Sequence, residues 1–132
     1  MAKLDAEGYR TLGLLEVANC LRLGMPFPDR SLVITFDDGY RSVYAEAFPV
    51  LQRHGMSATV FLTVGEKMPT DLSWRLPSLQ GQAMLAWKEI LEMHRWGIEF
   101  GAHTLTHPDL TLLAADRIET EIRDSKAIIE QS

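Results

Sequence analysis

Two short apolar runs rich in β-branched residues, Ser31-Leu32-Val33-Ile34-Thr35-Phe36 and Ala58-Thr59-Val60-Phe61-Leu62-Thr63-Val64, constrain the fold of this chain most. Neither alternates polar with apolar residues, so each reads as a strand buried on both faces, the pattern of a parallel sheet. Parallel neighbours need a crossover connection. Ser42 to His54 supplies one, with Val43, Ala47, Val50 and Leu51 on a single helical face. The order strand, helix, strand predicts a βαβ unit and an α/β architecture. Pro49 falls inside the helix, where its ring meets the carbonyl four residues back, so a kink or restart is expected there.

The flanking segments extend the same pattern. Thr11 to Leu23 reads as an amphipathic helix through Leu14, Leu15, Ala18 and Leu21, stopped by Gly24. Met84 to Trp96 reads as another, with Trp87, Ile90, Leu91 and His94 at helical spacing and Gly97 after its end. Ile98-Glu99-Phe100 is a third short strand. From Leu110 onward a last helix is predicted, with Ile118, Ile122, Ser125 and Ile129 on its apolar stripe. Gly65 to Gln82 holds two prolines, two glycines and Trp74 without a period, so it reads as a functional loop whose aromatic can stack on a sugar.

Composition narrows the function classes. A chain of 132 residues, 46% hydrophobic and 23% charged, fits one globular domain across residues 1–132. The net charge of −5, with no basic cluster, argues against nucleic acid, whose affinity comes mainly from clustered Lys and Arg. No apolar run is long enough to span a bilayer. Cys20 is the single cysteine, which excludes an intrachain disulfide and a thiolate-rich zinc site. The residues after Met1 show neither the basic region nor the apolar core of a secretory signal, and localisation stays open. There is no Gly-x-Ser-x-Gly elbow and no phosphate-cradling glycine loop, so a serine nucleophile and a nucleotide cofactor find no support.

Two clusters carry the chemistry: Thr35-Phe36-Asp37-Asp38-Gly39 at the end of the first strand, and His103-Thr104-Leu105-Thr106-His107 after the third. Asp-Asp-Gly alone is an ordinary turn. Yet adjacent residues on an extended segment face opposite ways, so one aspartate can hold a metal while the other holds water. His103 and His107 lie four apart, and Pro108 biases His107 away from helix, which places the pair on a turn or irregular loop. One Asp and two His leave a divalent ion with open positions, the arrangement of a catalytic site. His54 and His94 read as polar caps at helix ends, and Trp87 and Trp96 as core.

These two clusters resemble the motifs of the polysaccharide deacetylases of carbohydrate esterase family 4, the NodB homology domain, and Ala58-Thr59-Val60-Phe61 and Gly97 to Ala102 resemble the surrounding text. The similarity spans most of residues 31–126. It implies that Asp38, His103 and His107 bind a divalent metal, Zn first and Co or Ni as alternatives, and that Asp37 is the catalytic base. The implied substrate is an acetylated polysaccharide containing N-acetylglucosamine, losing N-acetyl or O-acetyl groups. The implied fold is a distorted, TIM-like (β/α) barrel. That barrel takes roughly 200 residues or more, and the family's later Arg-Pro-aromatic, Asp-Trp and Leu-x-x-His segments are expected to lie beyond Ser132. The expectation is therefore a partial barrel lacking its C-terminal strands and its general-acid histidine. Such a piece is expected to be inactive alone and to self-associate or take a complementing chain. Two other readings stand beside it: a non-catalytic metal- or glycan-binding remnant, and a Mg-dependent phosphohydrolase using Asp37 and Asp38, which leaves both histidines unexplained.

Overall fold

The structure, a computed structural model, describes residues 1–65 and 78–131. In chain order it contains α1 (Ala2–Ala6), β1 (Arg10–Thr11), α2 (Leu14–Leu23), β2 (Ser31–Leu32) and β3 (Thr35–Phe36). A π-helical turn over Val43–Ala47 leads into α3 (Phe48–Arg53), followed by β4 (Thr59–Leu62), β5 (Ser78–Leu79) and β6 (Gln82–Ala83). Then come α4 (Trp87–Arg95), β7 (Glu99–Ala102), a 3-10 turn over Leu110–Leu112 and α5 (Ala115–Gln131).

The centre is a parallel three-stranded sheet in the order β3-β4-β7, with Thr35 opposite Thr59 and Thr59 opposite Glu99. Parallel pairing is what the unbroken apolar text of the strands predicted. Val60 and Leu62, both fully buried, face a core shared with Leu51 of α3, Ile90 and Met93 of α4, and Ile128 of α5. Strand alternation puts Thr59 and Phe61 on the opposite face. There Phe61 lies against Gly101, its register partner, so closely that a Cβ at Gly101 would sit 2.9 Å from the ring. Only a residue without a side chain lets the ring lie flat across β7.

Several expectations need correction. Ser31 to Phe36 is not one strand: β2 pairs with β1, β3 pairs with β4, and Val33-Ile34 crosses between the two sheets. The restart expected at Pro49 is present, and its form is a π-helical turn running into a helix with Pro49 in the first turn. A first-turn proline has no helical partner to forfeit, and the wider preceding turn relieves the ring of the carbonyl behind it. Gly24 at φ 63° and Gly97 at φ 93° end α2 and α4 in the left-handed conformation that glycine allows without strain.

Two helices depart from the predicted faces, α2 broadly and α5 at one position, since Ser125 is buried and Ile129 packs on the core as expected. In α2, Leu15 and Leu21 are exposed and Cys20 is buried. In α5, Ile122 is 53% exposed while Glu121 is only 2% exposed. Trp87 is core as expected, but Trp96 is half exposed and meets Phe48 edge-on. The predicted loop from Gly65 to Gln82 ends in an antiparallel hairpin of β5 and β6. Trp74 lies outside the described residues. Among the described residues, no helix is long and apolar enough to cross a membrane.

Candidate metal centre

Both motifs sit where parallel strands end. After β3 the chain reverses through two consecutive left-handed residues, Asp38 at φ 68° and Gly39 at φ 80°. This turn is tied on both sides: Thr63 N–H donates to the Asp38 carbonyl at 3.1 Å, and Leu85 N–H donates to that of Gly39 at 2.9 Å. Arg41 adds a third tie, its Nε donating at 2.8 Å to buried Glu89 in the first turn of α4. The reversal separates the two aspartates. Asp37 is exposed, whereas Asp38 turns inward.

The histidine loop grows from β7 in the same way. His103 N–H continues the ladder by donating to Leu62 C=O at 2.9 Å, and the Thr63 hydroxyl donates to His103 C=O at 3.1 Å. Thr104 and His107 then take φ of 68° and 61°, and His107 N–H donates to Thr104 Oγ1 at 3.0 Å, closing the loop on itself. His107 lies outside the right-handed helical region, as Pro108 suggested, but at φ 61° it is left-handed and not in the extended conformation that a following proline favours. Leu105 anchors the loop by burying its side chain in the core.

The two loops bring three side chains together. Asp38 Oδ1 lies 3.1 Å from His107 Nε2 and 3.3 Å from His103 Nε2, and one ligand atom from each residue falls within 4.8 Å of the others. The rings of His103 and His107 are 5.3 Å apart between centroids, and Phe61 flanks His103. Asp38 Oδ1 is shielded from solvent yet makes no hydrogen bond among the described residues. A buried carboxylate oxygen without a donor is costly, and a cation between it and the two imidazoles removes that cost. One oxygen and two nitrogens are also the donor set that borderline divalent metals accept. The residues therefore fit a metal ion.

Neighbouring groups adjust the carboxylate. The Tyr40 hydroxyl neighbours Asp38, and desolvation, followed by the Asp38 charge, holds the phenol above its usual range. A tyrosine hydroxyl is protonated at neutral pH at its ordinary pKa, so it is a donor available beside the carboxylate. Of the other histidines, His54 pairs with Asp5 at 2.8 Å and His94 Nδ1 lies 3.3 Å from Ile98 C=O. Neither joins the cluster.

One residue was missed by reading the sequence. Glu121 on α5 sends its carboxylate under the histidine loop, accepting from Leu105 N–H at 2.7 Å and Thr106 N–H at 3.0 Å. The only sequence signal is an acidic residue three positions after Ile118 and four before Ser125, which is also a legitimate helical face.

The chain is similar to known proteins over most of its length. A Bacillus subtilis (strain 168) protein named for the polysaccharide deacetylases, YxkH, is 32% identical over 130 residues, which is 98% of this chain and 42% of that protein. The poly-beta-1,6-N-acetyl-D-glucosamine N-deacetylase of Escherichia coli (strain K12) is 30% identical over 108 residues, 78% of this chain and 16% of that one. Among solved structures, the Streptococcus pyogenes deacetylase PplD in complex with acetate superposes with a TM-score of 0.84 at 30% identity, covering 98% of this chain and 53% of that chain. This chain thus spans less than half the length of the two curated relatives. The family model described as polysaccharide deacetylase matches residues 24–132, and the chain belongs to that family.

Proposed function

We propose that this chain carries the metal-binding part of an active site that hydrolyses the N-acetyl groups of an N-acetylglucosamine polysaccharide. Asp38, His103 and His107 are the proposed ligands, and Asp37 is the proposed base. The observation that carries the reading is the shielded, unbonded Asp38 Oδ1 facing both imidazole Nε2 atoms. A divalent cation there, Zn2+ by its donor set with Co2+ or Ni2+ as alternatives, would lower the pKa of water and polarise the acetamide carbonyl.

The rest is work for this chain's side chains. His103 and His107 would offer their Nε2 atoms, and Asp38, with the Tyr40 phenol beside it, completes the set. Asp37, exposed beside Asp38, accepts the proton of the water that attacks the acetamide carbon. The C–N bond then breaks to give acetate and a free amine. The proton for that amine is assigned to a further histidine of the family's Leu-x-x-His segment; the two Leu-x-x-His tetrads of this chain, ending at His54 and His94, are not that group, since His54 pairs with Asp5 and His94 lies against Ile98 C=O. The substrate class is supported by the Escherichia coli relative, named for poly-beta-1,6-N-acetyl-D-glucosamine.

The sheet β3-β4-β7 is proposed to open a distorted (β/α) barrel. Among the described residues the outer edge of β7 pairs with no strand, which supports further strands there, from a continuing, complementing or second chain. The test is acetate release from poly-β-1,6-N-acetylglucosamine oligomers by the protein carrying this chain. Asp37→Asn is expected to abolish release while leaving bound metal at the wild-type stoichiometry. Wild-type turnover in that variant removes Asp37 as the base. Metal binding with no acetate release from any acetylated glycan favours the non-catalytic reading.

A further inference from the structure

We infer that Glu121 is a positioning residue for the metal site: its buried carboxylate sets the backbone of the histidine loop and so the spacing of His103 and His107. The inference rests on the metal reading proposed above. Glu121 is 2% exposed on α5, and it forms no ion pair among the described residues. A carboxylate taken out of water without a cation persists only where hydrogen-bond donors replace the lost solvent. Three do so here. Oε2 accepts from Leu105 N–H and Thr106 N–H, and Oε1 accepts from the Thr106 hydroxyl at 2.7 Å.

All three donors belong to the two residues at the middle of His103 to His107. On either side of them Thr104 and His107 hold left-handed backbone conformations. Such conformations in residues with a Cβ endure only when the surroundings over-determine them. The Thr104 hydroxyl braces the loop from inside, and Glu121 braces it from outside against a helix of 17 residues. The orientation of α5 points the same way. Turning the helix by one residue would bury Ile122 in place of Glu121, the choice that apolar packing alone favours. Instead Ile122 is exposed and the acid is inside, where it serves the loop.

The experiment measures Zn2+ affinity of the folded chain by competition with a chromophoric chelator, alongside far-UV circular dichroism and thermal melting. Glu121→Leu keeps roughly the bulk and removes the acceptor of all three hydrogen bonds, leaving the Leu105 and Thr106 N–H groups without their partner. Its Zn2+ dissociation constant is expected to rise about 10- to 100-fold, the usual cost of losing an outer-shell partner. Ser125→Ala, one turn along the same buried face, serves as the structural control: its melting temperature moves and its Zn2+ affinity stays within about twofold of wild type. A folded Glu121→Leu chain with wild-type Zn2+ affinity overturns the inference, because a merely structural acid would lower the melting temperature alone. If Glu121→Leu does not fold, Thr106→Val decides. Removing only the hydroxyl donor is expected to give a smaller loss of affinity, and an unchanged affinity overturns the inference. A wild-type chain that binds no Zn2+ overturns the metal reading itself, an outcome distinct from equal binding by wild type and variant.

Discussion

Replacing Thr104 by Gly separates the stability of the histidine loop from its function. Thr104 is β-branched at φ 68°, and relieving a left-handed conformation of that kind returns about 1–2 kcal/mol. The same change deletes the Oγ1 acceptor 3.0 Å from His107 N–H, a loss of about 1 kcal/mol. Glycine also adds backbone freedom to the unfolded chain, which costs roughly 0.5–1 kcal/mol. These terms nearly cancel. The net change is expected within about 1 kcal/mol of zero, or roughly 4 °C in melting temperature for a chain of 132 residues. His107, by contrast, loses the bond that fixes its backbone, and Zn2+ affinity should fall about 10- to 100-fold. Thr104→Asn, which tolerates the left-handed region and restores a side-chain acceptor, should recover much of that affinity. Differential scanning calorimetry and chelator competition on the same samples read both quantities. A drop of more than about 8 °C, or a Thr104→Gly chain with wild-type affinity, refutes the balance of strain and hydrogen bond argued above.

Two further outcomes follow from the fold around the site. Leu62 is fully buried at the centre of β4, so Leu62→Ala should destabilise the chain by about 2–5 kcal/mol in urea unfolding, and a loss below about 1 kcal/mol would mean that β4 is not central to the core. The Tyr44 hydroxyl donates to Glu92 at 2.8 Å, and that bond, followed by desolvation and the nearby negative charge, raises the phenol above its ordinary value. A raised folded-state pKa gives stability that is present below the unfolded value near 10 and lost as pH rises through the folded one. Ring-labelled NMR should find the Tyr44 midpoint lowered toward 10 in Glu92→Gln, and an unmoved midpoint contradicts the assignment.

The sequence was most legible where a local rule and the tertiary fold asked for the same thing. The apolar runs at Ser31 and Ala58, the stops at Gly24 and Gly97, and the interruption at Pro49 each follow from sterics or burial that act over a few residues. So does the irregular loop before Pro108. It was least legible where a distant partner decided the outcome. Ser31 to Phe36 divides because β1 claims its first half and β4 its second, and nothing within the run encodes two partners. At Glu121 the face of α5 answers the N–H groups of Leu105 and Thr106, which donate to its carboxylate, a demand that counting apolar residues does not register. For α2, leucines at Leu15 and Leu21 fit a helical stripe in spacing but remain exposed, so periodicity alone misplaced the buried side. The meeting of Asp38 with His103 and His107 was suggested by motif, whereas Asp38 turns inward through a left-handed backbone that an extended reading did not contain.

The account stands on one cation shared by Asp38, His103 and His107. Anomalous scattering from crystals grown with Zn2+ and recorded at the zinc edge tests it directly. A single peak is expected about 2.0–2.2 Å from an Asp38 carboxylate oxygen and from both Nε2 atoms, and its absence in His103→Ala crystals completes the result. Zinc at full occupancy elsewhere, with Asp38 and the two imidazoles bonded only to one another, would contradict it.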